Sequence, residues 1–169
     1  MNIEQFNLLP QPQAFSALES CCVAKNWVDA MLDLRPFADL PALYKSAESI
    51  WEKCAEADYL AAFEGHPRIG DVATLKAKYQ HTAGMAGHEQ QGMSQADEQL
   101  LHRMKQRNDD YFDKFGFIFI VCASGKSAQQ MLEILESRIG NDYKTELAIA
   151  ANEQMKITQI RLEKLFIAE

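Results

Sequence analysis

The chain has 169 residues, 47% hydrophobic and 24% charged, with a formal net charge of −7. That is long enough to bury one core without disulfide or metal staples, and the acidic balance, with no dense Lys/Arg cluster, excludes an electrostatic nucleic-acid binder. No apolar run reaches the length of a membrane span, and Met1–Pro10 carries Glu4 but no Lys or Arg, so it does not read as a signal peptide.

The C-terminal Phe166-Ile167-Ala168-Glu169 matches no retention, peroxisomal or lipidation signal, so a cytoplasmic protein is expected, without membrane or nucleic-acid partners. Cys21, Cys22, Cys54 and Cys122 lack metal-ligand or CxxC spacing and read as buried reduced thiols.

Helical periods dominate. From Gln13, the residues Phe15, Leu18, Cys22, Val23, Trp27 and Met31 recur at three- and four-residue steps, predicting one helix that Arg35-Pro36 stops. A second helix is expected after Pro41, through Leu43, Ala47, Ile50, Trp51 and Cys54. Asp58 reads as the N-cap of a short helix, Tyr59 to Phe63, that ends at Gly65.

His66 to Asp71 is a tight non-helical segment. Asp71 to Gly92 has few large apolar residues and three closely spaced glycines, Gly84, Gly87 and Gly92, which predicts a helical turn near Leu75 and then a loop. A helix from Ser94 carries Leu100, Leu101, Met104 and Arg107 toward Tyr111 and Phe115. The run Phe117 to Ala123 fits a buried strand or a helix start by periodicity. No second strand candidate exists to pair with it, so a buried extended or helical segment in an all-α fold is expected. Ser127 caps a helix with Met131, Leu132, Leu135 and Ile139, closed by Gly140-Asn141, and a last helix runs from about Thr145 to Phe166. Neither repeats nor linkers divide the chain, so residues 1–169 form one expected domain.

Three places stand out chemically. His66 follows a helix-ending glycine, and an imidazole titrates near neutrality, so it can exchange a proton during a reaction. A lone loop histidine is, however, more often a cap or a core residue. Arg161 shares an i, i+4, i+8 row with Ile157 and Leu165, an apolar stripe where a guanidinium needs an anionic partner. Both a structural carboxylate and a substrate carboxylate or polarised carbonyl remain open for it. Glu89-Gln90 opens a helix, where acidic residues are favoured anyway, yet a carboxylate beside an amide also suits a ligand rich in N–H and C=O groups. His81, His88 and His102 have no metal-ligand spacing, and no phosphate loop or nucleophile elbow occurs.

Four landmarks occur in a family-specific order: Arg35-Pro36-Phe37, His66-Pro67-Arg68-Ile69-Gly70, Lys114-Phe115-Gly116-Phe117 with its apolar run through Ala123, and Arg161-Leu162. Through them the chain resembles the 2-oxo-4-hydroxy-4-carboxy-5-ureidoimidazoline (OHCU) decarboxylases along nearly its whole length. The resemblance implies an all-α fold of about eight or nine helices, a homodimer, no cofactor and no metal, and the last step of urate oxidation, in which OHCU loses CO2 and becomes (S)-allantoin. It implies catalytic roles for His66, Glu89 and Arg161. It assigns substrate contacts to Pro67, Gln90, Arg161 and the main chain of Phe117, Ile118, Phe119, Ile120 and Val121. Where the family usually has a serine three residues before the glutamate, this chain has Ala86. Glu98-Gln99 offers an alternative alignment, but its distance to Tyr111 fits less well than that of Glu89-Gln90. A fused hydroxyisourate-hydrolase domain, present in some relatives, is not expected within 169 residues. The rival reading is a non-catalytic all-α ligand-binding or scaffold domain.

Overall fold

The computed structural model describes residues 1–68, 73 and 95–167. Among the described residues there are eight helices and no strand: α1 (Ile3–Leu8), α2 (Gln11–Glu19), α3 (Lys25–Asp33), α4 (Leu40–Glu52), α5 (Glu56–Glu64), α6 (Gln95–Phe115), α7 (Ala128–Arg138) and α8 (Tyr143–Leu165). The all-α class is as expected. The chain folds as two compact units, 1–66 with 151–169 and 67–150, and the division falls inside α8.

In the first unit α3 packs on α2, α4 and α5. Its core holds Phe6, Leu18, Trp27, Met31, Leu43, Phe63 and Leu162, each essentially without solvent contact. Buried indoles keep stability only if their N–H is paired. Trp27 Nε1 donates to the carbonyl of Ala47 at 3.1 Å and Trp51 Nε1 to that of Ala151 at 2.9 Å, tying α3 to α4 and α4 to α8. Asp39 caps α4 by accepting from the Ala42 N–H at 2.8 Å, with Pro41 in the first turn, where its missing N–H costs nothing.

Two local expectations fail here. The helix expected from Gln13 to Met31 is broken: α2 ends at Glu19, the N–H groups of Cys21 and Cys22 both turn back to the Leu18 carbonyl, and α3 starts at Lys25. The period persists across the break because both helices bury their apolar faces in one core, Leu18 from one and Trp27 from the other. Asp58 is not an N-cap. It lies in the first turn of α5, where its carboxylate accepts from the Ala55 N–H at 2.9 Å and from Asn26 Nδ2 at 2.8 Å. Helix α1 carries one buried side chain, Phe6, so it offered no period to read.

Arg35-Pro36-Phe37 is a clamp on α1. Arg35 Nη1 donates to the carbonyls of Phe6 and Leu9, both at 3.0 Å, the former also accepting from the Leu9 N–H at 3.2 Å. Asn7 bonds both the N–H and the carbonyl of Phe37 through its side chain, at 2.9 and 2.8 Å.

In the second unit α6 packs on α7 around Leu101, Met104, Val121, Met131 and Leu132. Ser127 caps α7 as expected, accepting from the Gln130 N–H at 3.2 Å while the Gln130 side chain accepts from the Ser127 N–H at 2.8 Å. Gly116 ends α6 with φ of 76°, a left-handed value that a side chain disfavours. Beyond it the run from Phe117 to Ala123 is neither helix nor strand. Its rings join Tyr111 and Phe115: Tyr111 lies 5.9 Å from Phe117 and 5.4 Å from Phe119, both edge-on.

A buried ion pair holds this segment. Arg138 and Glu146 are 6% and 0% exposed. Arg138 Nε donates to Glu146 Oε1 at 2.6 Å, its Nη2 pairs with the same oxygen, and its Nη1 donates to the Ile120 carbonyl at 2.7 Å. Tyr111 and Asn141 also donate to this carboxylate, at 2.5 and 3.1 Å. Burial, then the bond to Glu146, push the Tyr111 phenol well above its ordinary value, so it stays a neutral donor.

Candidate active site

His66 is seated at the exit of α5, where its N–H returns to the Phe63 carbonyl at 3.1 Å. Gly65 before it has φ of −71°, so the glycine is not there for a left-handed turn. A Cβ at Gly65 would lie 2.4 Å from Cγ2 of Val23, in the turn between α2 and α3. Val23 therefore packs where any side chain at Gly65 would stand. Gly65→Ala is expected to lower stability by about 1–3 kcal/mol, as overpacking does. Adding Val23→Ala should recover most of that loss in denaturant titration; equal losses in the single and double variants would sink this account of the glycine.

The half-buried imidazole reaches α8. His66 Nε2 lies 2.5 Å from Oε1 of Gln154, whose Nε2 donates to Thr158 Oγ1 at 3.1 Å, while the Thr158 hydroxyl donates to the Gln154 main-chain carbonyl at 3.0 Å. Gln154 and Thr158 are each 1% exposed. They stand in the buried row Gln154, Thr158, Leu162 and Phe166, at four-residue steps.

That row corrects the placement of Arg161. Ile157, Arg161 and Leu165 form a half-buried flank beside the core-facing row. Apolarity alone picked the flank, because two positions of the true buried row are polar and are satisfied by hydrogen bonds instead. Arg161 Nη1 donates to the Cys21 carbonyl at 3.4 Å, near the limit of a hydrogen bond. Among the described residues no carboxylate lies within ion-pair distance of it. Among the described residues, the structural carboxylate left open by the sequence is thus not found. Residues 154 and 161 are seven apart, which at 100° per residue puts them within about 20° on α8 and, at 1.5 Å rise, about 10 Å apart along its axis.

The cysteines near this region are thiols. Burial, the dominant cause, pushes the Cys22 thiol up to about 11. Cys21, Cys22 and Cys122 are buried as expected, whereas Cys54 is only partly so, and all four are unpaired.

Of the other expected site residues, Pro67 and Phe117 to Val121 belong to the second unit. Pro67 is exposed; Phe117, Ile120 and Val121 are buried, and Ile118 and Phe119 half-buried. The Ile120 carbonyl already accepts from Arg138. Arg68 covers the Phe112 ring at 4.1 Å and approaches Asp109 at 3.7 Å, a surface arrangement. Glu89 and Gln90, Ala86, Ile69 and Gly70, His81 and His88, and the helical turn and glycine loop expected between Asp71 and Gly92 lie outside the described residues. Glu98 of the alternative alignment stands in the first turn of α6. Among the described residues no group of three or more His, Cys, Asp or Glu could hold a metal ion, and no helix is long and apolar enough to cross a membrane.

Sequence reading missed Gln154, Thr158, Arg138 and Glu146. A signal existed for the first two: Leu162 and Phe166 set a four-residue register that runs back through both.

The sequence and the all-α fold match a family of decarboxylases. The family model described as OHCU decarboxylase matches residues 7–163, and the chain belongs to that family. It is 33% identical over 146 residues to the uric acid degradation bifunctional protein TTL of Arabidopsis thaliana, a match covering 86% of this chain and 45% of that protein. It is 27% identical to a 2-oxo-4-hydroxy-4-carboxy-5-ureidoimidazoline decarboxylase of Halalkalicoccus jeotgali, covering 88% of this chain and 80% of the other. Among solved structures, an OHCU decarboxylase crystallised in the presence of (S)-allantoin superposes with a TM-score of 0.69 at 33% identity, over 89% of this chain and 96% of that one. Against the bifunctional uric acid degradation proteins it matches, the chain spans only 32–45% of their length.

Proposed function

We propose that this chain decarboxylates OHCU to (S)-allantoin in urate degradation, as one functional domain over residues 1–169 and without a cofactor. The observation that carries the reading is a half-buried Arg161 with no carboxylate partner among the described residues, two helical turns from the glutamine that His66 contacts, in a member of this family.

Decarboxylation needs an acceptor for an electron pair. In OHCU the carbon that loses CO2 adjoins a C=N bond. As the C–C bond to the carboxylate breaks, its electrons move toward the ring nitrogen. A proton is then added at the ureido-bearing carbon, and the neighbouring hydroxyl becomes the carbonyl of allantoin. Delivering that proton to one face sets the configuration.

His66 is the proton-exchanging group in this scheme. Arg161 holds a carboxylate or carbonyl oxygen and stabilises the charge that develops on the ring, which a fixed guanidinium does better in a water-poor site than in bulk water. Glu89 and Gln90, together with Pro67 and the main chain of Phe117 to Val121, are assigned to substrate by the family resemblance. The same resemblance supports a cytoplasmic homodimer. Loss of CO2 from freshly made OHCU, followed with and without the purified chain, tests the activity; no acceleration would favour the binding-domain reading.

Arg161→Lys is expected to lower kcat at least tenfold, about 1.4 kcal/mol of transition-state stabilisation, with thermal stability close to wild type. Lysine keeps the charge but cannot make two bonds in one plane. A drop in melting temperature with unchanged kcat would remove Arg161 from the site.

A further inference from the structure

We propose that Gln154 and Thr158 are positioning residues that hold His66 with its proton on Nε2, so that the proton His66 exchanges in the reaction moves at Nδ1. This rests on the reading of His66 as the proton-exchanging group, but its geometry stands apart from any substrate.

The hydrogen bonds run in one direction. The Thr158 hydroxyl has a single proton, and the Gln154 main-chain carbonyl at 3.0 Å takes it. The hydroxyl oxygen, 3.1 Å from the Gln154 side chain, is therefore an acceptor there, which requires the amide NH2 to face Thr158. The amide oxygen is thus turned to His66, 2.5 Å from Nε2. An amide oxygen has no proton to give, so Nε2 must carry one, in both the neutral and the cationic ring. Titration then takes place at Nδ1. Turning the amide over would set its NH2 against Nε2 and favour the other tautomer, and Thr158 opposes that turn.

Both polar residues are 1% exposed, so water does not compete for these bonds. Burying an amide and a hydroxyl in the core-facing row of α8 is unfavourable unless each is paired, and the chain from Thr158 to His66 pairs them. Leucine or valine would pack the same row without that requirement. A polar pair in that row orients the imidazole, as groups behind a catalytic or metal-bound histidine fix its tautomer elsewhere.

The test is 15N NMR of histidine-labelled enzyme without substrate, with the His66 signals identified by their loss in His66→Ala. Above its titration, wild-type His66 should show a pyrrole-type Nε2 and a pyridine-type Nδ1. Thr158→Val should move both signals toward a mixture of tautomers and lower kcat several-fold with KM little changed. Thr158→Ser, which restores the hydroxyl, should return the wild-type pattern, and Gln154→Glu, which keeps an acceptor, should retain the pyrrole-type Nε2. A wild-type ring protonated on Nδ1, or folded Thr158→Val with unchanged signals, would overturn the assignment. Because the spectrum is read on the resting protein, the expected tautomer in a protein that fails to turn over OHCU would count against the proposed reaction alone.

Discussion

His66→Ala is expected to lower catalysed decarboxylation by about 10²–10⁴-fold, the range a positioned proton-transfer group contributes. The side chain leaves from a half-buried position at the end of α5, where the turn is closed by main-chain bonds from Gly65 and His66 to Ala62 and Phe63. The helical fold should therefore persist. One buried acceptor, Gln154 Oε1, loses its partner, which costs about 1–3 kcal/mol unless water replaces the imidazole. Steady-state kinetics and circular dichroism on one preparation separate the two effects. A folded variant with wild-type kcat would refute the catalytic role.

Glu146→Ala should have the largest effect on stability, a loss of about 3–5 kcal/mol, because it leaves the Arg138 guanidinium buried without its counter-charge. Against a total of about 5–15 kcal/mol for a typical domain, that is enough to lower the folded population markedly at growth temperature. Tyr111 and Asn141 lose their acceptor as well. Replacing both charges, as in Arg138→Met with Glu146→Leu, should recover much of the stability, since an apolar pair avoids the desolvation of two ions. Urea titration of the single and double variants decides this. A single variant within about 0.5 kcal/mol of wild type, the usual span for surface changes, would show that the pair is not structural.

The contrast between these residues explains what was readable beforehand. Helices α4, α6, α7 and most of α8 were legible because caps and apolar periods are local: Asp39 acts on Ala42, and Ser127 on Gln130. Helix α1, with one buried side chain, and the turn at Cys21–Ala24, whose flanking helices share one core, gave no local mark. Arg138 and Glu146 look in sequence like ordinary helix charges, and only the return of α8 past α7 makes them a pair. Gln154 gains its meaning from His66, 88 residues earlier.

The family landmarks divide in the same way. Arg35-Pro36-Phe37 clamps α1, and Lys114-Phe115-Gly116-Phe117 ends a helix and starts an aromatic cluster. Lys114 itself donates to the Ile139 carbonyl at 2.7 Å. These are scaffold. His66 and Arg161 are the landmark residues to which the proposed function assigns the chemistry. The spacing of Ile157, Arg161 and Leu165 reads as an apolar stripe, whereas the three stand on a half-buried flank of α8.

The most direct measurement is enantiomer-resolved analysis of allantoin formed from fresh OHCU. OHCU decays spontaneously to racemic allantoin, so the uncatalysed sample is its own control. With the chain present, faster loss of OHCU and a large excess of (S)-allantoin are expected, because one proton donor serves one face. Racemic product at the spontaneous rate would contradict the account.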